Sequence, residues 1–284
     1  MTTAPTRLTT RRPLTLITHS ALLTGRLLRG LKRMPTFLII GLVQPVIWLL
    51  LFGQLFHSVT DLPGFAPANG ANGADNDDYL RFLTPGVVMM TALFASAWSG
   101  TTYLDDIERG VMDRLLASPA GRGAMVIATM AHQTIQTLVQ SLIIVAIAVA
   151  AGARFPGGVV GVGGVGVGVT LLAAALLALA FSAMSDAIAL LTRRQTSLIA
   201  ISQFTTLPLV FLSSAVMDLG LAPGWVGRVA ACNPVEWAVA AAREAMLANP
   251  DWSSVWTHLA LLAATALAMG LLTTRAFHTY RKAA

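Results

Sequence analysis

Six apolar runs, each poor in charge, decide what this chain can fold into. They lie near 35–57, 82–104, 126–151, 159–184, 195–217 and 254–275. A helix rises 1.5 Å per residue, so about 20 apolar residues cross the hydrocarbon core of a bilayer. Inside that core every backbone donor and acceptor must be satisfied within the segment, which makes these runs helices. The sequence therefore predicts an all-α integral membrane protein with six transmembrane helices. Composition agrees: 55 % of residues are hydrophobic and 11 % charged, where a soluble domain has about 25 % charged residues. A soluble fold would lack a surface.

The net charge of +6 reports topology. Basic residues flank the apolar runs and nowhere alternate with exposed aromatics, so a nucleic-acid partner is excluded and membrane lipids are the expected surroundings. With both termini inside, 15 Lys and Arg fall on the inner side and four, Arg81, Arg154, Arg228 and Arg243, on the outer side. Both termini are thus expected in the cytoplasm. Cys232 is the only cysteine, which leaves no intrachain disulfide. The first apolar run reads as a retained span, since it is long and lacks a small-residue cleavage site.

Three connections carry further organisation. Residues 1–34 form a cytoplasmic N-terminus. Within it a 100° step puts Leu16, Ile17, Leu23, Leu27, Leu28, Leu31 and Met34 on one arc, with Arg26, Arg29, Lys32 and Arg33 opposite. That pattern predicts an amphipathic helix in the headgroup plane. The inner connection 105–125 gathers Asp105, Asp106, Glu108, Arg109, Asp113 and Arg114, and predicts a short helix over 106–117 suited to docking another protein. The outer connection 58–81 is acidic and rich in Gly, Asn and Pro, as a loop would be. The last connection, 218–253, predicts helices over 223–231 and 235–247. Asn233 and Pro234 would act as cap and first residue, and Glu236, Arg243 and Glu244 share a face suited to ion pairing. It reads as a re-entrant outer-leaflet helical hairpin. The six-helix transmembrane body then covers 35–276, and 277–284 is a cytoplasmic tail.

Several chemistries are excluded. The glycine run 157–169 lacks the Gly-Lys-Ser/Thr of a phosphate loop. Its pairs Gly157/Gly161 and Gly164/Gly168 instead have the spacing that lets helices approach closely. The chain is therefore expected to bind no cofactor and to hydrolyse no ATP. Metal-ligand clusters are absent from the sequence. The span centres lack ionisable groups, His132 near one end excepted, which leaves no site for coupling to an ion gradient. What the spans carry is neutral: Gln44 and Gln54 in the first, and Gln133, Gln136 and Gln140 along one stripe of the third. Pro45 and Pro208 should kink their spans. A path for a greasy solute would draw on Trp48, Met89, Phe94, Trp98, Gln203, Phe204 and Phe211. Core packing and interhelical hydrogen bonding are the alternative uses of such residues.

Three segments in order resemble a known family, the type-2 permeases of ABC exporters and in particular the daunorubicin-resistance group. They are YLRFLTPGVVMM at 79–90, ERGVMDRLLASPAGRG at 108–123 and FLSSAVMDLGLAPGWVGRVAACNPVEWAVAAAREAML at 211–247. The resemblance implies two permease subunits facing each other, a homodimer or a heterodimer, each docked on a cytoplasmic ABC ATPase subunit that holds ATP and Mg. It places docking on Glu108, Arg109, Gly110, Asp113, Arg114, Pro119 and Arg122. It implies export of a hydrophobic drug, antibiotic or secondary metabolite across the bacterial cytoplasmic membrane, with a lipid or lipid-linked glycan as the alternative cargo. An ion-coupled carrier or channel is the reading outside the family. The chain departs from the family at Val235-Glu236, where many relatives have a small hydroxyl residue, so the resemblance gives Glu236 no role.

Overall fold

The computed structural model describes residues 13–33, 35–55, 76–111, 122–153, 162–215, 219, 222–247 and 249–282. Among these every regular element is helical: α1 Pro13–Arg33, α2 Pro35–Leu55, α3 Asn76–Ala97, α4 Thr101–Glu108, α5 Arg122–Ala150, α6 Val162–Thr192, α7 Gln195–Phe211, α8 Gly224–Ala230, α9 Pro234–Ala245 and α10 Trp252–Lys282. The fold is all-α, as expected. Four helical stretches are long and apolar enough to cross a membrane: Leu80–Glu108, Gly123–Ala150, Gly164–Thr192 and Trp252–Ala276. Of the other two expected spans, α2 has 21 residues, with an apolar stretch Leu38–Leu51, and α7 has 17.

Helix α6 is the central element, touching α3, α5, α9 and α10. Its buried residues include Ala173, Ala174, Ala178, Ala180 and Ala183, and such small side chains let neighbouring backbones come close where lipid gives no hydrophobic drive. A close approach in its glycine-rich start is made by Gly166, and not by Gly168 of the expected Gly164/Gly168 pair. A Cβ on Gly166 would lie 2.7 Å from the Ala245 carbonyl oxygen, whereas one on Gly168 would meet nothing. Gly157 and Gly161 lie outside the described residues. Helix α10 turns Leu261, Leu267, Leu271 and Leu272 outward, as a lipid-facing helix must.

Other expectations shift at their ends. Helix α3 starts at Asn76, six residues before the expected 82, so the acidic loop is shorter; its residues 58–75 lie outside the described residues. Helix α6 continues to Thr192, eight residues past the expected 184. That extension brings in Asp186 near the end of the helix, with its side chain fully buried, an ionisable group that the expected run 159–184 did not include; the centre of the span still holds none. The turn after α6 is tight because Arg193 adopts a left-handed conformation, φ 53°. The short helix expected over 106–117 is not formed as one piece: α4 ends at Glu108, and Gly110, at φ 63°, breaks it. A left-handed residue ends a helix, and glycine takes that conformation without strain. Residues 112–121 lie outside the described residues.

Helix α1 forms as predicted and packs along α5. Leu23 packs against a small core of Tyr103, Leu104, Met125, Val126, Ala189, Leu190 and Leu198. Arg26, expected on the solvated arc, instead donates to Asp106 Oδ1 of α4 at 3.0 Å. With both groups partly exposed, that pair contributes up to about 1 kcal/mol.

A carboxamide-lined cavity as candidate functional site

Helices α2, α3, α5 and α7 enclose a cavity of about 340 Å³, near the lower end of the size of small-molecule sites, roughly 300–1,000 Å³. Its apolar wall comes mainly from Trp48, Met90, Phe94, Trp98 and Leu207; its polar wall is four carboxamides, Gln44, Gln136, Gln140 and Gln203, with Thr91. Helical period explains the grouping on α5, since residues four apart share a face. Gln136 and Gln140 are 5 % and 1 % exposed. Along the same helix Gln133 Nε2, Thr137 Oγ1, Gln140 Oε1 and Ser141 Oγ are buried without a hydrogen-bond partner among the described residues. Thr91 differs, because its hydroxyl donates back to the Val87 carbonyl at 2.7 Å. Gly41 lets α2 approach this stripe: a Cβ there would stand 2.9 Å from Gln140 Nε2.

Of the path residues expected from sequence, Trp48, Phe94, Trp98 and Gln203 come together here. Met89 does not; it is fully buried in the core, and its neighbour Met90 takes the cavity position. Phe204 and Phe211 are 85 % and 68 % exposed and lie on the outer face of α7. Leu207 belongs to both that face and the cavity wall.

Helix α3 leaves the cavity at Trp98 through a turn and resumes as α4. The break is stapled to the bundle. The Ala97 carbonyl accepts from Ser185 Oγ at 2.7 Å and Ser202 Oγ at 2.9 Å, while the Gly100 amide donates to Ser185 Oγ at 3.0 Å. Beside it Thr129 Oγ1 donates to Asp186 Oδ2 at 3.0 Å and lies 3.1 Å from the Tyr103 hydroxyl. Sequence reading missed this polar cluster; the signal was a Ser-Asp pair at 185–186 inside an otherwise apolar run.

Of the docking residues expected from the resemblance, Glu108 ends α4, Arg109 and Gly110 form the turn after it, and Arg122 begins α5. Glu108 and Arg109 are exposed. Asp113, Arg114 and Pro119 lie outside the described residues.

The two helices before the last span form where expected. Asn233 caps α9, its Oδ1 accepting from Val235 N at 2.9 Å, with Pro234 first in the helix. Its Nδ2 donates to the Leu209 and Leu212 carbonyls at the end of α7. The expected ion pairing among Glu236, Arg243 and Glu244 gives way to bonds with backbone. Glu236 Oε2 accepts from Ser214 N at 2.6 Å, and Glu244 Oε1 from Asp251 N at 2.9 Å. Arg243 donates to Ser214 O and Phe82 O and lies over the Phe82 ring at 3.7 Å. Glu236 thus has a structural role that the resemblance left open. Chain ends that leave their helices expose amides and carbonyls, and in a buried setting charged side chains are the strongest partners for them.

Comparison with known proteins agrees with this architecture. Residues 19–247 match the ABC-2 type transporter family. A protein named as a transport permease, ycf38, of Cyanophora paradoxa is 30 % identical over 218 residues, covering 76 % of this chain and 70 % of its own. The daunorubicin resistance ABC transporter permease protein DrrB1 of Streptomyces coeruleorubidus is 26 % identical over 94 % of this chain and 89 % of its own. A permease named for doxorubicin resistance, DrrC of Mycobacterium tuberculosis, is 26 % identical over 89 % of this chain and 88 % of its own. Matched over most of its length, this multi-pass membrane protein belongs to the ABC-2 type transporter family, as a transmembrane permease subunit of an ABC transporter.

Proposed function

We propose that this permease exports a hydrophobic drug, antibiotic or secondary metabolite across the bacterial cytoplasmic membrane, driven by ATP hydrolysed on separate ATPase subunits. Membership of the family implies an ABC ATPase partner. Two relatives are named for daunorubicin and doxorubicin resistance, and they motivate the choice of cargo. The observation that carries the reading is continuity of one element. Helix α3 supplies Val87, Met90, Thr91, Phe94 and Ala95 to the cavity, and the turn that follows it supplies Trp98. Three residues after Trp98, at Thr101, the chain resumes as α4, which runs into the charged segment 105–125. Nucleotide-driven closure of the ATPase pair pushes on that segment, and α4 passes the displacement to the cavity wall. Both termini and this segment lie in the cytoplasm in this reading.

The exposed face of α7, with Ile201, Phe204 and Phe211, packs against a second permease copy, and two ATPase subunits complete the assembly. Because Leu207 is shared between that face and the cavity, dimerisation closes the cavity's open side. Charge reversal at Asp113 and Arg114 is expected to uncouple ATP hydrolysis from transport. It is measured as co-purification of the ATPase and ATP-dependent efflux from vesicles. Unchanged co-purification and efflux in the double variant would sink the docking assignment.

A further inference from the structure

We infer that the cavity selects neutral, hydrogen-bonding aromatic molecules over cations of the same size, and that Gln136 and Gln140 impose the choice. The inference rests on the cavity being the transport site. None of the described residues lining it is ionisable, and its polarity resides in four carboxamides and Thr91. A carboxamide both donates and accepts, so it complements a hydroxyl, a carbonyl or another amide on a ligand. Gln140 is held on a packed helix with its Oε1 buried and without a partner among the described residues. That oxygen is covered by neighbouring atoms, so a ligand hydroxyl meets it once the amide turns toward the cavity; the bond then made is one that the protein alone leaves unmade, and an unmade buried bond is the costly case. Gln44 and Gln203 stand on the facing helices and extend the same chemistry across the cavity.

A cation gains much less. Moving an ion out of water costs several kcal/mol unless a counter-charge meets it, and the lining holds no carboxylate. Asp186, the buried carboxylate of the bundle, is bonded to Thr129 and is not part of this wall. The rings of Trp48, Phe94 and Trp98 can attract a cation, by about 0.5–2 kcal/mol in a cation–π contact. That gain is smaller than the desolvation it must offset. The same rings stack equally well on a neutral aromatic molecule, so they favour flatness without favouring charge.

The test uses the permease with its ATPase in lipid nanodiscs. Two probes are compared, a trihydroxyflavone and the same flavone carrying a trimethylammonium-methyl arm. Equilibrium binding and stimulation of ATP hydrolysis are both read. The neutral flavone is expected to bind at least about tenfold more tightly, one such factor corresponding to about 1.4 kcal/mol. Gln140→Leu should weaken the neutral probe about five- to tenfold and leave the cationic one unchanged. Gln140→Glu should raise affinity for the cationic probe, which a purely structural role for Gln140 would not do. Gln136→Leu provides a second variant should Gln140 variants fold poorly. Equal or tighter binding of the cation to the wild-type complex overturns the inference and leaves the cavity as the transport site. Equal weakening of both probes in the leucine variants does the same. If neither probe binds or stimulates hydrolysis, the reading of the cavity as a transport site falls, and the inference with it.

Discussion

The α9 end of the bundle and the cavity wall are both polar patches buried among apolar helices, yet they treat polarity in opposite ways. At the α9 end Asn233, Glu236 and Arg243 each bind backbone groups of a neighbouring helix terminus. In the cavity wall Gln140 Oε1 lacks a partner among the described residues, as do Gln133 Nε2, Thr137 Oγ1 and Ser141 Oγ beside it along α5. A polar group in hydrocarbon is tolerated when it is satisfied. The first patch therefore reads as construction and the second as a surface kept available for something else. The difference can be attacked at glycines and at caps, where one added or removed atom tests how tightly each region is built.

Gly86→Ala should have the largest effect. A Cβ at Gly86 would overlap the backbone carbonyl of Ala215, where the chain leaves α7. Backbone cannot step aside as a side chain can, so α3 must move away from the α7 terminus that Asn233 and Arg243 hold. Overpacking of this kind costs about 3 kcal/mol at its upper end. The apparent melting temperature in detergent should fall on the order of 10 °C. A fall of only a degree or two would mean that the α9 end is not rigid, and the contrast with the cavity would dissolve.

Asn233→Ala comes next. The side chain caps α9 and donates to two carbonyls. A lost cap costs about 1 kcal/mol, and each lost bond in a membrane protein about 0.6 kcal/mol, so the sum is about 2 kcal/mol. Asn233→Asp keeps the acceptor and loses the donor. Comparing both variants by thermal unfolding separates the cap from the carbonyl bonds, and equal stability of Ala and wild type would show that the bonds contribute nothing.

How far these regions were legible in the sequence depends on the range of the signal. Helix existence, the amphipathic α1 and the Asn233-Pro234 start of α9 are local, and periodicity, charge and cap chemistry reveal them. The Gln136/Gln140 stripe was visible as spacing four apart. What spacing could not say was which aromatic faces it: Met89 and Met90 are adjacent, and only the rotation of α3 against its neighbours decides that Met90 enters the cavity. Glu236 and Arg243 looked like an ion pair because they are near in sequence. Their partners, Ser214 and Phe82, come from chain segments that meet α9 only in the folded bundle. Asp186 lies just past the expected run 159–184, which stops before the polar Ser185-Asp186 pair, whereas apolar residues 187–191 follow that pair and the helix continues until Arg193 turns it. Gly110 was read as part of a helix, although its left-handed backbone ends one.

Gly41→Ala should have the smallest effect on stability and is the sharpest probe of the comparison. Its added Cβ would come 2.9 Å from Gln140 Nε2, close enough to require movement, as at Gly86. Here, however, the opposing atom is the far end of a flexible side chain that lines a cavity, so a small rotation relieves the contact. Alanine is also favoured over glycine inside a helix by about 0.8–1 kcal/mol. The two terms nearly cancel, and the melting temperature should stay within a degree or two of wild type. The displaced Gln140 amide should instead register in ligand-stimulated ATP hydrolysis, as a two- to threefold weaker apparent affinity for a neutral flavone, roughly 0.4–0.7 kcal/mol. A drop in melting temperature as large as that of Gly86→Ala would mean that the cavity wall is packed as rigidly as the α9 end. The Gln140 amide would then be fixed by packing and would have no freedom to meet a ligand.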